Sequence, residues 1–271
     1  MFRKLLRHFP RLLRLYEKCR PHEFVDRWEG ERFGLFNEET HELLGSFPIG
    51  SADIVVDVGC GMGSASIFAA DCGAEVYAVD VDPRALATVE RRLRGRKPAR
   101  SFQTLLSDAN PLPLPDGLAT RIVAQEVLEH VDDPRQFLAE LIRIGQPGAL
   151  YLLAVPDPAG EKVHKKLAPE SYWRKPNHLR ILEREEFTDL VRDSGLTIEK
   201  RMSYSFFWSM WWILFWSGEG ELPAGAPGTP VLTHWNKTWA ELRKTRNGPR
   251  IMQALDELLP KTQILLARKA A

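Results

Sequence analysis

The sequence has few cysteines, no excess of one charge and no long uninterrupted apolar run. Three cysteines, Cys19, Cys60 and Cys72, occur among 271 residues, and no two form a CxxC pair. Such a scattered, odd set predicts neither a disulfide framework nor a zinc site, and it favours a reducing, cytoplasmic location. The formal net charge of +1 argues against a generally basic surface that coats nucleic acid. A hydrophobic content of 44% is typical of an ordinary globular protein with a sizeable core.

Positive charge is concentrated at the amino end of the chain. Residues 1–20 carry seven Lys or Arg against the single acid Glu17. Apolar residues recur there at helical spacing, which predicts a basic amphipathic helix that Pro10 kinks or restarts. This helix could pack on its own domain, attach peripherally to an anionic membrane surface or contact nucleic acid, and we expect no nucleic-acid partner. Residues 1–50 are predicted to form this helix and a lid, for which Trp28 and Phe36 are candidates.

From residue 53 onward, short β-branched runs alternate with longer helical patterns, which is typical of a parallel sheet wrapped by helices. Predicted strands cover 53–58, 75–80, 101–105, 121–125, 149–155, 196–202 and 262–269, and predicted helices cover 63–71, 83–94, 134–145 and 184–194. The predicted fold class is therefore α/β, a Rossmann-like, doubly wound, seven-stranded sheet with helices on both faces. Residues 51–271 form this domain in the prediction.

A long insertion, residues 204–261, separates the sixth and seventh predicted strands. It contains SFFWSMWWILFW, and six of the eight tryptophans of the chain lie between Trp208 and Trp239. As a helix, residues 206–216 would span about 16 Å, roughly half of the ~30 Å hydrocarbon thickness of a bilayer. Because it is apolar all round, we expect it to be buried in the protein core, in a homodimer, in a substrate pocket or at a lipid interface.

Three glycines follow the first long strand in IVVDVGCGMGSAS, and Asp80 ends the next strand. Glycines at such a corner allow a ligand to approach the main chain, and a carboxylate there can accept both hydroxyls of a ribose. The pattern therefore predicts a ligand that contains a nucleoside. It leaves the nucleoside open, although Ser64 stands where a dinucleotide-binding motif would have its third glycine.

The order of five motifs resembles that of the class I S-adenosylmethionine-dependent methyltransferases, in particular the small-molecule group that includes ubiquinone and menaquinone pathway enzymes. The motifs are VVDVGCGMG, VYAVDVDPRAL, SDANPLPLPDG, VLEHVDDP and LIRIGQPGALYLLAVP, within about residues 50–200. The resemblance implies S-adenosylmethionine as the cofactor. It further implies these cofactor contacts: Gly59, Cys60, Gly61 and Gly63 beside the methionine part, Asp80 on the ribose, Asp108 on the adenine amino group, Val81 and Ala109 on the ring, and Gln125 near the sulfonium.

Two histidines are candidates for a general base. His130 follows the fourth strand in VLEHV, and His178 lies in YWRKPNHLRILEREEF, a segment that the resemblance places over the active site. Tyr172 and Trp173 would then wall the acceptor pocket. We predict no metal site; the alternative is a divalent ion held by Glu126, Glu129 and His130, whose spacing resembles that in ubiquinone O-methyltransferases.

The predicted function is transfer of a methyl group from S-adenosylmethionine to a small or amphiphilic, lipid-like acceptor, with oxygen as the expected nucleophile. Methyl transfer from a sulfonium needs alignment and the exclusion of water more than added catalytic groups, which explains the absence of a strong catalytic motif. The alternatives are an NAD-dependent oxidoreductase of the Rossmann type and a non-catalytic scaffold that keeps the cofactor fold.

Overall fold

The structure is a computed structural model that describes residues 36–37, 39–94, 101–218 and 229–271. The predicted basic helix and Trp28 lie outside the described residues. The chain divides into two compact units, with the boundary between Pro48 and Ile49. In the first unit, the described residues form three short antiparallel strands: β1 (Phe36–Asn37), β2 (Glu42–Leu43) and β3 (Phe47–Pro48).

The second unit is built on a sheet of seven strands. They are β4 (Ile54–Val58), β5 (Glu75–Asp80), β6 (Ser101–Leu106), β7 (Ala119–Gln125), β8 (Gly145–Pro156), β9 (Leu196–Tyr204) and β10 (Thr262–Lys269). Their order across the sheet is β6-β5-β4-β7-β8-β10-β9. The strands β4 to β8 pair in parallel, whereas β10 is antiparallel to both of its neighbours. This sheet confirms the predicted fold class.

Eight α-helices accompany this sheet in the described residues. They are α1 (Ser64–Asp71), α2 (Pro83–Leu93), α3 (Pro134–Ile144), α4 (Pro158–Leu167), α5 (Arg184–Asp193), α6 (Phe206–Phe215), α7 (Pro230–Lys244) and α8 (Gly248–Leu258). A short 3-10 helix, Glu170–Trp173, lies between α4 and α5. Every residue of β8 from Ala149 to Pro156 is buried, as expected for a central strand that is covered on both faces.

The structure departs from the predicted elements at several places. The strand β8 starts at Gly145 instead of 149, because it follows α3 directly and pairs with Ala119 at the start of β7. The prediction also omitted α4, which begins immediately after β8, the helices α7 and α8, and the short strands β1 to β3. The remaining predicted strands and helices agree with the structure to within about two residues.

The insertion between β9 and β10 contains α6, α7 and α8. In α6, Phe207, Ser209 and Phe215 are buried within the chain and the other side chains are partly exposed. Burial of these other side chains in a homodimer, a substrate pocket or a lipid interface stays a prediction. Phe207 stacks on Trp235 of α7, with ring centroids 5.7 Å apart. Among the described residues, none of the helices has the length and apolar character that crossing a bilayer requires.

Candidate active site

The glycine turn lies between β4 and α1, at the carboxyl edge of the sheet. Gly59, Gly61 and Gly63 have φ angles of 73°, 50° and 84°, a region that favours glycine. A Cβ atom on Gly59 would lie 2.2 Å from Cγ2 of Val127, so the loop after β7 packs directly on the turn. A Cβ atom on Gly61 would meet nothing within 4 Å. One side of the turn is therefore packed and the other presents open main chain.

Two acidic side chains and one cysteine hold this turn. The Asp80 carboxylate, at the end of β5, accepts hydrogen bonds from the backbone N–H groups of Gly61 (2.8 Å) and Asp82 (2.9 Å). Each carboxylate oxygen has a second lone pair, so Asp80 can still accept from two ribose hydroxyls. Asp57 is buried and accepts from the backbone N–H and the hydroxyl of Ser66 in α1. The Cys60 side chain is buried too, and burial raises the pKa of its thiol.

The predicted adenine contacts lie at the ends of β5 and β6. Val81 is 65% exposed and Leu106 is 64% exposed, although both are large apolar side chains. Leu106 pairs with Asp80 in the ladder between these strands, so the two apolar groups lie beside the candidate ribose carboxylate. Asp108 is exposed, and Ala109 is buried with a φ of 62°. An apolar surface next to a carboxylate that accepts hydrogen bonds suits a flat nucleobase that carries an amino group. Leu106 was not predicted from the sequence.

Gln125 and Glu126 lie at the end of β7, next to the loop that packs on the glycine turn. Gln125 is the last, half-buried residue of this strand, and Glu126 follows it with a positive φ of 55°. The Glu126 carboxylate accepts hydrogen bonds from Lys261 Nζ (2.6 Å) and Thr262 Oγ1 (2.8 Å) at the start of β10. Burial opposes the charge of Lys261, but Glu126 and Glu161 outweigh it and raise the pKa of this lysine. Of the alternative metal ligands, Glu129 and His130 lie in one cluster with His178, whereas Glu126 is held by this pair of donors.

His130 and His178, the two predicted catalytic residues, lie together. Their ring centroids are 4.8 Å apart with the planes at 86°. His130 Nδ1 lies 3.1 Å from the carbonyl oxygen of Pro176, and His178 Nδ1 lies 2.7 Å from the Glu161 carboxylate. Burial and the neighbouring His178 lower the pKa of His130, which favours its neutral form. The sequence prediction named both histidines as separate candidates, and it did not name Glu161.

Glu129 completes this cluster of polar side chains. It is 1% exposed, and neither of its carboxyl oxygens has a hydrogen-bond partner in the described structure. Burial, with the nearby charge of Glu126, raises the pKa of Glu129 well above its ordinary value, which favours the neutral acid. Single ligand atoms of Glu129, His130 and His178 all lie within 4.8 Å of one another. A polar molecule between them could hydrogen-bond to more than one of these groups.

Aromatic side chains border the cluster. Tyr172 contacts Trp173 at 5.0 Å, His178 at 4.7 Å and Trp216, which follows α6, at 5.5 Å between ring centroids. The indole N–H groups of Trp173 and Trp216 have no hydrogen-bond partner in the described structure. The predicted wall residues Tyr172 and Trp173 thus lie beside His178, and the insertion contributes Trp216. This border is apolar with a few unpaired donors, a combination common in small-molecule sites.

A comparison with protein families matches residues 56–153 to a methyltransferase domain. The chain is 35% identical over 137 residues to "Probable tocopherol O-methyltransferase, chloroplastic" of Oryza sativa subsp. japonica, covering 48% of this chain and 34% of the relative. It is 29% identical to 2-methyl-6-phytyl-1,4-hydroquinone methyltransferase of Synechocystis sp. (strain ATCC 27184 / PCC 6803 / Kazusa), covering 52% of this chain and 42% of the relative. The chain thus spans less than half of the length of these two curated relatives.

A solved structure is similar over most of the chain. It is geranyl diphosphate C-methyltransferase from Streptomyces coelicolor A3(2), with a TM-score of 0.54, 16% identity, and coverage of 82% of this chain and 75% of that one. At this identity, the likeness concerns the fold. Taken together, the comparisons confirm the predicted resemblance to class I S-adenosylmethionine-dependent methyltransferases, the predicted cofactor and the prediction of an enzyme. They do not favour the dinucleotide-dependent or the scaffold alternative.

Proposed function

We propose that this chain, which carries a methyltransferase domain of the class I S-adenosylmethionine-dependent kind, methylates a hydroxyl oxygen of a small, largely apolar aromatic acceptor. The observation that carries the proposal is the adjacency of two half-sites. An open glycine turn with its carboxylate lies beside the loop after β7, and this loop brings His130 against His178 and an aromatic border.

On the cofactor side, the open face of Gly61, the Asp80 carboxylate and the exposed Val81 and Leu106 fit the three parts of the cofactor. We assign the turn to the methionine part, Asp80 to the ribose, and the two apolar side chains with Asp108 to the adenine. When bound, S-adenosylmethionine supplies an activated methyl group on a positive sulfur. The chain aligns the acceptor and excludes water, and a base accepts the hydroxyl proton.

On the acceptor side, the relatives act on tocopherol and on a phytylated hydroquinone according to their names, and both names describe an aromatic ring with an apolar substituent. The border of Tyr172, Trp173 and Trp216 suits a ring of this kind. The partly exposed aromatic side chains of α6 could carry its apolar tail. The half-buried Gln125, beside the glycine turn, is assigned to the contact near the sulfonium.

Peripheral attachment to a membrane through residues 1–20 is part of the proposal, because a prenylated acceptor resides in a lipid bilayer. Sedimentation with anionic vesicles tests this part. Binding that falls with added salt and with Lys/Arg→Gln changes in this segment supports it. If the protein does not sediment with the vesicles at low salt, the membrane part of the proposal is wrong. The protein, as a monomer or a homodimer, would then act on acceptors in solution.

Two measurements test the proposal directly. Calorimetry with S-adenosylhomocysteine should give micromolar binding that Asp80→Asn weakens at least tenfold, while NADH should give no binding. Tritium transfer from methyl-labelled S-adenosylmethionine should occur to tocopherol or to a prenylated hydroquinone in detergent, should give a methyl ether by mass spectrometry of the product, and should fall with His178→Gln. Absence of S-adenosylhomocysteine binding would overturn the cofactor assignment. Methyl transfer only to carbon or nitrogen atoms of the acceptors would overturn the assignment to oxygen.

A further inference from the structure

Glu161 of α4 is a buried carboxylate between two histidines. It is 2% exposed, and its two oxygens accept separately from His164 Nδ1 (3.2 Å) and His178 Nδ1 (2.7 Å). Burial alone would favour the neutral acid. The two hydrogen bonds and the charge of Lys261 outweigh burial and hold the pKa of Glu161 well below its ordinary value.

An ionised carboxylate accepts hydrogen bonds and donates none, so both histidines must carry their proton on Nδ1. For His164, Nε2 is buried and has no hydrogen-bond partner in the described structure, so Nδ1 is the ring nitrogen that a protein group holds. The same tautomer leaves a lone pair on Nε2 of His178, which faces the hydroxyl of Tyr172 at 3.4 Å.

The partners of Nδ1 distinguish the two predicted bases. Nδ1 of His130 donates to a neutral carbonyl oxygen, whereas Nδ1 of His178 donates to a carboxylate. A positive imidazolium gains much more from a carboxylate in a buried site than from a carbonyl group. His178 is therefore better suited than His130 to take up a proton.

We propose that Glu161 is a positioning residue for methyl transfer: it fixes His178 in the Nδ1–H tautomer and stabilises the imidazolium that forms when Nε2 accepts the proton of the acceptor hydroxyl. The inference rests on the proposed function for its catalytic meaning. In this step, the acceptor oxygen forms the bond to the methyl carbon while the carbon–sulfur bond breaks and its electron pair goes to sulfur. The hydroxyl proton moves to His178 Nε2 and is later released to water.

Other groups also act on His178 and must be considered in any pH dependence. Glu129 and His130 from the loop after β7 and Tyr172 from the 3-10 helix lie against His178 itself. His164 from α4 and Lys261 before β10 act on its partner Glu161. Glu161 carries a full negative charge and contacts His178 at a shorter distance than any of these groups, so its replacement should have the largest effect.

The first test needs no acceptor. Long-range proton–nitrogen spectra of histidine-labelled protein, recorded with S-adenosylhomocysteine and EDTA and assigned with His178→Gln, report the tautomer and pKa of His178. We expect the Nδ1–H tautomer in the unmodified protein and a proton affinity at least tenfold lower in Glu161→Gln. Glu161→Asp should restore most of it, and Glu170→Gln, an exposed glutamate on the 3-10 helix, should change nothing.

The second test is the pH profile of methyl transfer to the acceptor that serves in the assay above. Glu161→Gln should lower the plateau rate about 10- to 100-fold, part of the usual contribution of a general base, and move the acidic limb to lower pH. Its affinity for S-adenosylhomocysteine should stay within twofold of the unmodified protein.

Three outcomes overturn the inference: an Nε2–H tautomer in the unmodified protein, an unchanged pKa of His178 in Glu161→Gln, or an unshifted pH profile in that variant. If Glu161→Gln does not fold, the tautomer of the unmodified protein and the pKa in Glu161→Asp still decide. If no acceptor is methylated, the proposed function fails while the spectra still decide whether Glu161 controls His178.

Discussion

At the scale of single residues, Gly59 and Gly61 are alike in sequence and differ in their surroundings. Both have a positive φ, but a Cβ atom would clash with Val127 at Gly59 and would enter open space at Gly61. Gly59 is therefore required for packing the turn on the loop after β7. Gly61 keeps free the space that we assign to the cofactor.

This difference predicts opposite phenotypes for two alanine variants. Gly59→Ala combines left-handed strain with overpacking and should lower the free energy of unfolding by about 2–4 kcal/mol. Gly61→Ala has the strain alone, about 1–2 kcal/mol, but should weaken S-adenosylhomocysteine binding at least tenfold. Urea unfolding and calorimetry measure the two effects.

Gly117→Ala is the matched control for strain, because Gly117 has a φ of 62°, has open space at its Cβ position and precedes β7 at the opposite edge of the sheet. It should cost a similar amount of stability and leave binding unchanged. Unchanged affinity in Gly61→Ala would mean that the cofactor does not lie against this turn.

The same scale shows what the sequence could and could not reveal about the site. Asp80 and His130 belong to motifs with a local pattern, so their positions could be predicted. Glu161 could not, since its hydrogen bond to His178 joins residues seventeen positions apart across a helix that was not predicted. Lys261 immediately precedes a predicted strand, but only the antiparallel direction of β10 brings it to Glu126.

At the scale of elements, three helices start with the same dipeptide. In α2, α3 and α4, this dipeptide is Asp-Pro: the aspartate caps the helix by accepting hydrogen bonds from backbone N–H groups, and the proline occupies the first helical position. Asp157-Pro158 therefore carried the signal for α4, one of the helices that the sequence prediction omitted. The seven strands of the large sheet were predicted more completely, because most of them contain a short run of apolar, often β-branched residues.

Unlike the other two capping aspartates, Asp82 and Asp133, Asp157 also forms an ion pair within the described structure. It is fully buried, and it accepts hydrogen bonds from Arg184 Nε (2.7 Å) and Nη2 (3.1 Å) besides the N–H of Ala159. It thus ties the start of α4 to the start of α5. Because Glu161 lies in α4, this cap also helps to fix the position of Glu161 relative to His178.

We expect Asp157→Asn to lower the free energy of unfolding by about 2–4 kcal/mol, because it removes a buried charge from a capping and ion-pairing position. Asp189→Asn is the control, since the exposed pair of Asp189 with Arg192 should contribute less than about 1 kcal/mol. Urea unfolding of both variants measures this. Equal losses in the two variants would show that the link between α4 and α5 does not stabilise the fold.

At the scale of the whole molecule, buried carboxyl groups respond to pH in opposite directions. Glu161 has its pKa lowered by its histidine partners despite burial, so its contribution to stability is present above the ordinary pKa of glutamate and is lost as the pH falls. Burial raises the pKa of Asp57 from 3.8 to about 6, even though Ser66 donates to it. The folded state therefore binds the Asp57 proton more tightly than the unfolded state does.

For Asp57 the consequence is a loss of stability as the pH rises. Its contribution is fully present below pH 3.8 and is lost progressively as the pH rises through about 6, a change of about 3 kcal/mol for a shift of this size. Asp57→Asn keeps an oxygen for the Ser66 donors and removes the titration. The difference in unfolding free energy between the unmodified protein and this variant should therefore fall between pH 4 and 6 and stay constant above pH 7.

Urea unfolding at unit steps of pH measures this difference. The control is Asp193→Asn at an exposed aspartate, whose unfolding free energy should run parallel to that of the unmodified protein throughout. Parallel curves for Asp57→Asn would mean that Asp57 is ionised in the folded protein already at pH 4, and that the hydrogen bonds from Ser66 outweigh its burial.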